Sequence, residues 1–214
     1  MKILLILICF VLMTTCMFAQ NSKTILLNSP DTNRGLPLMK ALLHRASERE
    51  FDSTSLTLQD LSDLLWAANG INRPESGKRT APSATNAQDI DVYVFMKSGV
   101  YLYDAKKNLL EFVVDGDYRN FVAGRQESVA NAPVICLLVS DISRFRSGTD
   151  SLKLVWAAED AGIVSQNISI FCAAVGFSTV PRATMDREKI REILKLKTTQ
   201  HPMLNNPVSY KKSN

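Results

Sequence analysis

The chain has 214 residues, of which 46% are hydrophobic and 21% are charged, and its formal net charge at neutral pH is +4. A chain of this length can bury one substantial core. The charge is modest and no run of five or more like charges occurs, so the composition argues against nucleic acid as a partner.

The N-terminal segment predicts export from the cytoplasm. Lys2 precedes an apolar run over residues 3–13, and the small residue Ala19 ends the segment. A basic start followed by a short apolar core is typical of a secretory signal peptide, and the run is too short to span a membrane. We expect cleavage after residues 1–19 and a periplasmic product, whereas Cys16 leaves a lipid-anchored protein as the alternative. Residues 20–34 then form an N-terminal extension before one domain over residues 35–212.

Two helices are predicted in the first third of the domain. Apolar residues at helical spacing predict a helix over residues 35–50. A second helix is predicted over residues 58–69, with Thr57 as its N-cap and Gly70 as its end. Residues 71–88 carry no periodic pattern and are predicted to form a long loop. Long loops inside compact domains are usually functional or disordered.

The middle of the chain predicts an antiparallel meander. Strands are expected over residues 92–96, 100–103 and 109–113, because short polar turns separate these apolar segments. A helix is predicted over residues 119–129. The continuous apolar run at 133–139 is typical of a central strand that is covered on both faces.

The longest periodic segment covers residues 151–175 and is apolar around much of its circumference. Such a helix is expected to be buried at the centre of the fold or in a subunit interface. A strand at 177–180, a helix at 186–194 and a strand at 203–208 follow. The fold class is therefore predicted as α+β.

Two cysteines remain after the signal segment. Cys136 and Cys172 both lie in apolar runs, so we expect buried and unreactive thiols. A disulfide between them is an open alternative in an exported protein. Their spacing is not that of metal ligands, and no metal is predicted.

A short basic segment is the strongest sign of a binding site. Arg45, Ser47 and Arg49 place two guanidinium groups and a hydroxyl within five residues, with both arginines on one face if the segment is helical. Guanidinium groups suit a phosphate, which accepts paired hydrogen bonds. The alternative is a solvated face on which Glu48 and Glu50 neutralise the arginines.

Common catalytic motifs are absent from the sequence. The glycines and lysine between Gly70 and Lys78 do not have the spacing of a nucleotide phosphate loop, and there is no dinucleotide-binding glycine motif. Neither His44 nor His201 accompanies a nucleophile elbow.

Three segments in order resemble the nitroreductase family of flavin mononucleotide (FMN) enzymes. They are the basic segment 45–49, the Pro-Ser-x-x-Asn segment within residues 81–88, and the long helix that closes on residues 174–177 before Val180-Pro181. Within that family, residues 64–73, 79–84 and 99–103 look like the branch that contains the thiazoline and oxazoline oxidases.

The resemblance implies a central, mostly antiparallel sheet flanked by helices, with a long buried helix. It also implies a homodimer with FMN at the subunit interface. The implied cofactor contacts fall into four groups. They are Arg45, Ala46, Ser47, Arg49 and Lys211 at the phosphate; Pro82, Ser83, Ala84 and Asn86 from the partner subunit; Arg125 or Gln126 at the pyrimidine edge; and Pro181, Arg182, Ala183 and Thr184 near flavin N5.

The activity implied by the resemblance is an FMN-dependent oxidoreductase. Hydride passes through flavin N5 in a ping-pong mechanism, either to reduce nitro or quinone-type acceptors or to oxidise a small organic substrate. No side chain acts as a catalytic group, and loop 71–85 is expected to set substrate choice. NAD(P)H is a candidate electron donor, although export of the protein favours an oxidase or another donor.

Two other classes of function remain open. The first is a non-catalytic, exported flavin-binding or redox-sensing protein. The second is an exported interaction domain whose basic segment is only solvated.

Overall fold

The computed structural model describes residues 24–212. The predicted signal segment 1–19 and the first residues of the extension, 20–23, lie outside the described residues. Within the described part of the chain, no helix is long and apolar enough to cross a membrane.

The described chain contains helices on either side of a meander of strands, as the sequence predicts. The helices are α1 (Leu38–His44), α2 (Leu58–Asn69), α3 (Arg119–Ala123), α4 (Asp150–Val175) and α5 (Arg187–Leu194). The strands are β1 (Ile25–Leu26), β2 (Ile71–Arg73), β3 (Lys78–Arg79), β4 (Ile90–Met96), β5 (Gly99–Asp104), β6 (Leu109–Val114), β7 (Val134–Asp141), β8 (Phe177–Thr179) and β9 (Gln200–Tyr210).

A seven-stranded sheet forms the middle layer, in the order β1-β6-β5-β4-β7-β9-β8. Every neighbouring pair is antiparallel. Strand β7 lies near the centre, and all of its residues are buried. The predicted meander and the predicted central strand are therefore confirmed.

Both faces of the sheet are covered. On one face, α2 and α4 pack over alternate strand residues such as Val94, Cys136 and Leu138. On the other face, Ile190 of α5 packs with the neighbouring residues Phe95 and Ile135. Because side chains alternate across a strand, β7 must be apolar throughout to serve both cores.

Helix α4 is buried on one face only. Thr149 caps its start, and Gly176 ends it in the left-handed conformation that favours glycine. Ala157, Ala161 and Ile168 face the sheet and are fully buried. The predicted long helix is confirmed, and its first turns leave the apolar side chains Leu152, Leu154 and Val155 exposed in the single chain.

Three local predictions need correction. The helix predicted over 35–50 ends at His44, because the Glu48 N–H donates to the Thr179 carbonyl oxygen at 3.0 Å and holds the following residues against the end of β8. Arg45 and Arg49 therefore do not share a helix face. The predicted loop 71–88 contains the β2–β3 hairpin. The predicted helix 119–129 breaks at Gly124, where φ is +61°.

The two cysteines lie opposite each other, on β7 and α4. Both thiols are free and fully buried. Burial raises the pKa of the Cys136 thiol to about 12 and raises that of Cys172 as well. The expectation of unreactive thiols is confirmed, since the thiolate is the reactive form.

Candidate functional site

The basic segment is an exposed loop that lies beside the end of β8. It begins at Arg45, where α1 ends, and the side chains of Ala46 and Ser47 face solvent. Lys211 reaches the same place, with its Nζ atom 3.9 Å from the Glu48 carboxylate. The residues that the resemblance implies at the phosphate are therefore brought together from the two ends of the domain.

The arginines of this loop are available to a ligand. No carboxylate of residues 24–212 lies within ion-pair distance of Arg45 or Arg49, and the only contact of the Arg49 guanidinium is the Ser47 carbonyl oxygen at 3.3 Å. The alternative in which Glu48 and Glu50 neutralise the arginines does not match this geometry. The loop can hold a multiply charged anion such as a phosphate.

A second group forms around Arg182, which is only 7% exposed. Its guanidinium donates to the Gln126 side chain at 2.7 Å, to the Asn205 side chain at 2.8 Å and to two carbonyl oxygens at the end of α3. Burial lowers the pKa of Arg182. Its backbone N–H is also used, in a bond to the Asn205 carbonyl oxygen. Arg182 therefore holds α3 against β9, and four of its five guanidinium N–H donors, as well as its backbone N–H, are used within the fold.

Several N–H groups near Arg182 donate no hydrogen bond within the described part of the chain. The Ala183 and Thr184 side chains are exposed, and their N–H groups donate no hydrogen bond within residues 24–212. The Gln126 side chain accepts from Arg182 through its oxygen, which leaves its NH2 group free. These three donors fit the carbonyl and nitrogen edge of a flat heterocycle.

A cavity of about 490 Å³ adjoins these donors, and Arg125 and Thr184 are among its lining residues. Pro181 is also exposed at the start of the same segment. The residues expected at the pyrimidine edge and those expected near N5 are thus neighbours in the fold.

The Pro-Ser-x-x-Asn segment lies apart from the basic loop. The Ala84 N–H donates to the Asp160 carboxylate at 3.0 Å, in the first half of α4. About 22 Å of helix separates Asp160 from Val175, after which the chain enters β8 beside the basic loop. One chain therefore does not bring Pro82, Ser83 and Asn86 to the basic loop.

A buried carboxyl pair escaped the sequence analysis. Asp89 is fully buried and Asp160 is 3% exposed, and the two carboxyl groups are close enough to interact. Burial and the contact with Asp160 raise the pKa of Asp89 to about 7. Single acidic residues at the start of an apolar strand and within an apolar helix are the signal that could have indicated them.

The described residues contain no cluster of His, Cys, Asp and Glu suited to a metal ion. The groups that the fold does assemble are basic side chains and N–H donors, which suit an organic anion.

Comparison with known proteins decides the family. The model of the Nitroreductase family matches residues 42–210. The chain belongs to the nitroreductase family. A curated relative from Methanocaldococcus jannaschii, named as a nitroreductase, is 30% identical over 185 residues, which is 82% of this chain and 92% of that protein.

Solved structures agree with this assignment. A Ralstonia eutropha protein described as a nitroreductase has a TM-score of 0.84 and 35% identity, and the match covers 92% of this chain and 93% of that one. A Staphylococcus epidermidis protein described as an NAD(P)H:FMN oxidoreductase has a TM-score of 0.63 at 12% identity, covering 86% and 92% of the two chains. The second likeness concerns the fold alone. As a nitroreductase-family member, the protein is an oxidoreductase.

Proposed function

We propose that this nitroreductase-family protein is an FMN-dependent oxidoreductase that works as a homodimer. It transfers hydride between a reduced donor and a nitro, quinone or other small organic acceptor in a ping-pong cycle. The observation that carries the proposal is the loop at Arg45–Arg49, whose two arginines have no carboxylate partner among residues 24–212, together with the free N–H groups of Ala183 and Thr184 on the segment that follows β8.

The loop and the donors fit the two ends of FMN. Arg45, Arg49 and Lys211 supply three positive charges for the phosphate, and the Ser47 hydroxyl supplies a short donor. The N–H groups of Ala183 and Thr184 and the free NH2 group of Gln126 suit the ring. FMN, when bound, supplies the hydride chemistry that no side chain here provides. N–H donors fixed around the ring favour its more negative, reduced form.

The partner subunit is proposed to complete the site with Pro82, Ser83, Ala84 and Asn86. The single chain exposes apolar side chains on α1 and on the start of α4, and Leu38 and Met39 are 61% and 76% exposed. Apolar groups at this density are typical of an interface. Members of this family are typically dimeric, which supports the same arrangement.

Charges placed on this surface are expected to separate the subunits. The double variant Leu38→Glu with Met39→Glu puts two carboxylates into the proposed apolar interface, so we expect a shift from dimer to monomer in light scattering and a loss of FMN binding. Leu26→Glu is the matched control, because Leu26 is 71% exposed on β1 and should leave both properties unchanged. A double variant that stays dimeric at micromolar concentration would place the interface elsewhere.

The function itself is tested with the purified full-length protein. We expect a yellow protein with a flavin absorbance spectrum that is bleached by NADH, NADPH or dithionite and restored by a nitroaromatic compound or a quinone. Parallel lines in double-reciprocal plots would support the ping-pong order. A protein that stays yellow with every donor would instead be a non-catalytic flavin-binding protein, and one that binds no FMN would refute the proposal.

Export and substrate choice are further parts of the proposal. Residues 1–19 support periplasmic delivery, where NAD(P)H is scarce, so the oxidase-like residues 64–73 favour oxidation of a small organic substrate. The β2–β3 hairpin and the residues up to 85 are proposed to select that substrate. Cell fractionation, with mass spectrometry of the mature N-terminus, tests the export: an intact residue 1 on a cytosolic protein would contradict it.

A further inference from the structure

The segment from Ser83 to Gln88 is held in a costly backbone conformation. Thr85, Asn86 and Gln88 have φ values of +53°, +55° and +49°, in the left-handed region that residues other than glycine seldom adopt. Such a segment keeps its shape only where its surroundings hold it there. The contacts that hold it therefore control whether the Pro-Ser-x-x-Asn residues are presented.

One set of contacts leads to the buried carboxyl pair. The Ala84 N–H donates to both oxygens of Asp160 at 3.0 Å. Asp89 lies behind Asp160, and the Ser140 hydroxyl donates to its Oδ2 atom. The other oxygen of Asp89, Oδ1, is buried without a donor from the protein. A single proton between the two carboxyl groups satisfies this oxygen, because a protonated carboxyl can donate while a carboxylate only accepts.

The charged groups around the pair do not neutralise Asp89 in place of that proton. Arg144 follows β7 and is the one cation that interacts with Asp89 among the described groups, but its guanidinium is bonded to Asp91 at 2.6 Å and to the Gln88 carbonyl oxygen at 2.8 Å. Asp91 on β4 and Asp141 on β7 add negative charge nearby. Two carboxylates in this place would repel each other in a buried environment.

We propose that Asp89 and Asp160 share one proton that locks the segment Ser83–Gln88 in place, and that loss of the proton to solvent releases its N-terminal half. In the locked state, both oxygens of Asp160 accept the hydrogen bond from the Ala84 N–H. In the released state, repulsion from Asp89 displaces Asp160 and frees Ala84. Arg144 remains charged and keeps its bond to Gln88, so release is confined to residues 84–86.

The direction of the pH effect follows from the folded state. Burial beside Asp160 raises the pKa of Asp89 from its ordinary value near 4 to about 7. In the folded protein the proton therefore stays on the pair at pH 6, and the locked fraction falls as the pH rises through about 7 and beyond. Where the proposed function also holds, FMN should bind the dimer more weakly at pH 9 than at pH 6, since this segment then no longer contacts the partner's cofactor. That last step rests on the proposed function.

Amide hydrogen exchange tests the lock without any cofactor. Between pH 6 and pH 9, protection of the Ala84 and Asn86 amides, corrected for intrinsic exchange, is expected to fall by up to tenfold per pH unit above pH 7. Asp89→Asn should abolish this pH dependence, because its side-chain NH2 group can donate to Asp160 at every pH. Asp150→Asn, an exposed position on the same helix, should behave as the wild type.

The wild-type series decides the outcome even if a variant folds poorly. Constant protection of residues 84–86 from pH 6 to pH 9 would overturn the proposal, and so would a pH dependence that survives in a folded Asp89→Asn protein. A pH-dependent release in a protein that binds no FMN would support the lock and refute only the proposed function.

Discussion

Replacing Arg45 and Arg49 together with alanine is expected to weaken FMN binding more than a hundredfold. Each guanidinium would make charge-assisted hydrogen bonds to the FMN phosphate worth about 1.5–3 kcal/mol, and every 1.4 kcal/mol is about tenfold in affinity. Both side chains lack a carboxylate partner within residues 24–212, so the fold should not suffer from their removal. Quenching of flavin fluorescence on titration into the cofactor-free protein measures the effect.

Arg146→Ala is the matched control for this double variant. Arg146 is also exposed, and it lies before α4, away from the basic loop. The Arg146→Ala variant loses one positive charge, and its FMN dissociation constant should change by less than about twofold, through long-range electrostatics alone. If the double variant binds FMN as the wild type does, the phosphate does not lie at this loop.

The second large effect is expected for stability. Arg182→Met should lower the free energy of unfolding by about 3–5 kcal/mol, because it removes a buried cation and strands the acceptors that it joins on α3 and β9. The released end of α3 carries Gln126, so ring binding should weaken as well. Urea denaturation followed by circular dichroism measures the stability.

Arg187→Met, at the first residue of α5, is the control. The Arg187 guanidinium makes one long bond, 3.3 Å from its Nε atom to the Pro202 carbonyl oxygen, at a half-exposed site. A loss of less than about 1 kcal/mol is expected there. Equal losses in the two variants would mean that the buried network around Arg182 adds no stability of its own.

The sequence predicts regular elements well where one physical signal dominates. Strand β7 is apolar over residues 134–139, and α2 has Thr57 as a cap whose hydroxyl accepts the Asp60 N–H. Helix α2 was predicted at its bounds, and β7 was predicted within two residues, since it continues through two polar residues to Asp141. The helix predicted over 35–50 fails because a distant partner, the Thr179 carbonyl oxygen, competes for the Glu48 N–H. Local periodicity contains no information about that partner.

The candidate site also contains some residues whose position the sequence predicts and others whose role it does not. The sequence order of Arg45, Ser47 and Arg49 identifies the basic loop, and the fold brings Lys211 to it. Arg182 was expected near the flavin, yet only its position in the segment fits that expectation, since its side chain and N–H serve the fold. No pattern in the sequence distinguishes an arginine that binds a ligand from one that fills a buried network.

The arginines that follow β8 have a consequence for solubility. Strand β8 pairs only with the last residues of β9. The rest of this edge of β9 is contacted by Arg182, by Arg187 at Pro202 and by Arg191 at Gln200. An unpaired rim of a long strand is a template on which another chain can add a strand and start aggregation. The backbone of Arg182 and the side chains of Arg187 and Arg191 occupy carbonyl groups of this edge, and the two cationic side chains repel a second copy of the same edge. The protein can therefore keep an eleven-residue strand next to the sheet margin without polymerising through it.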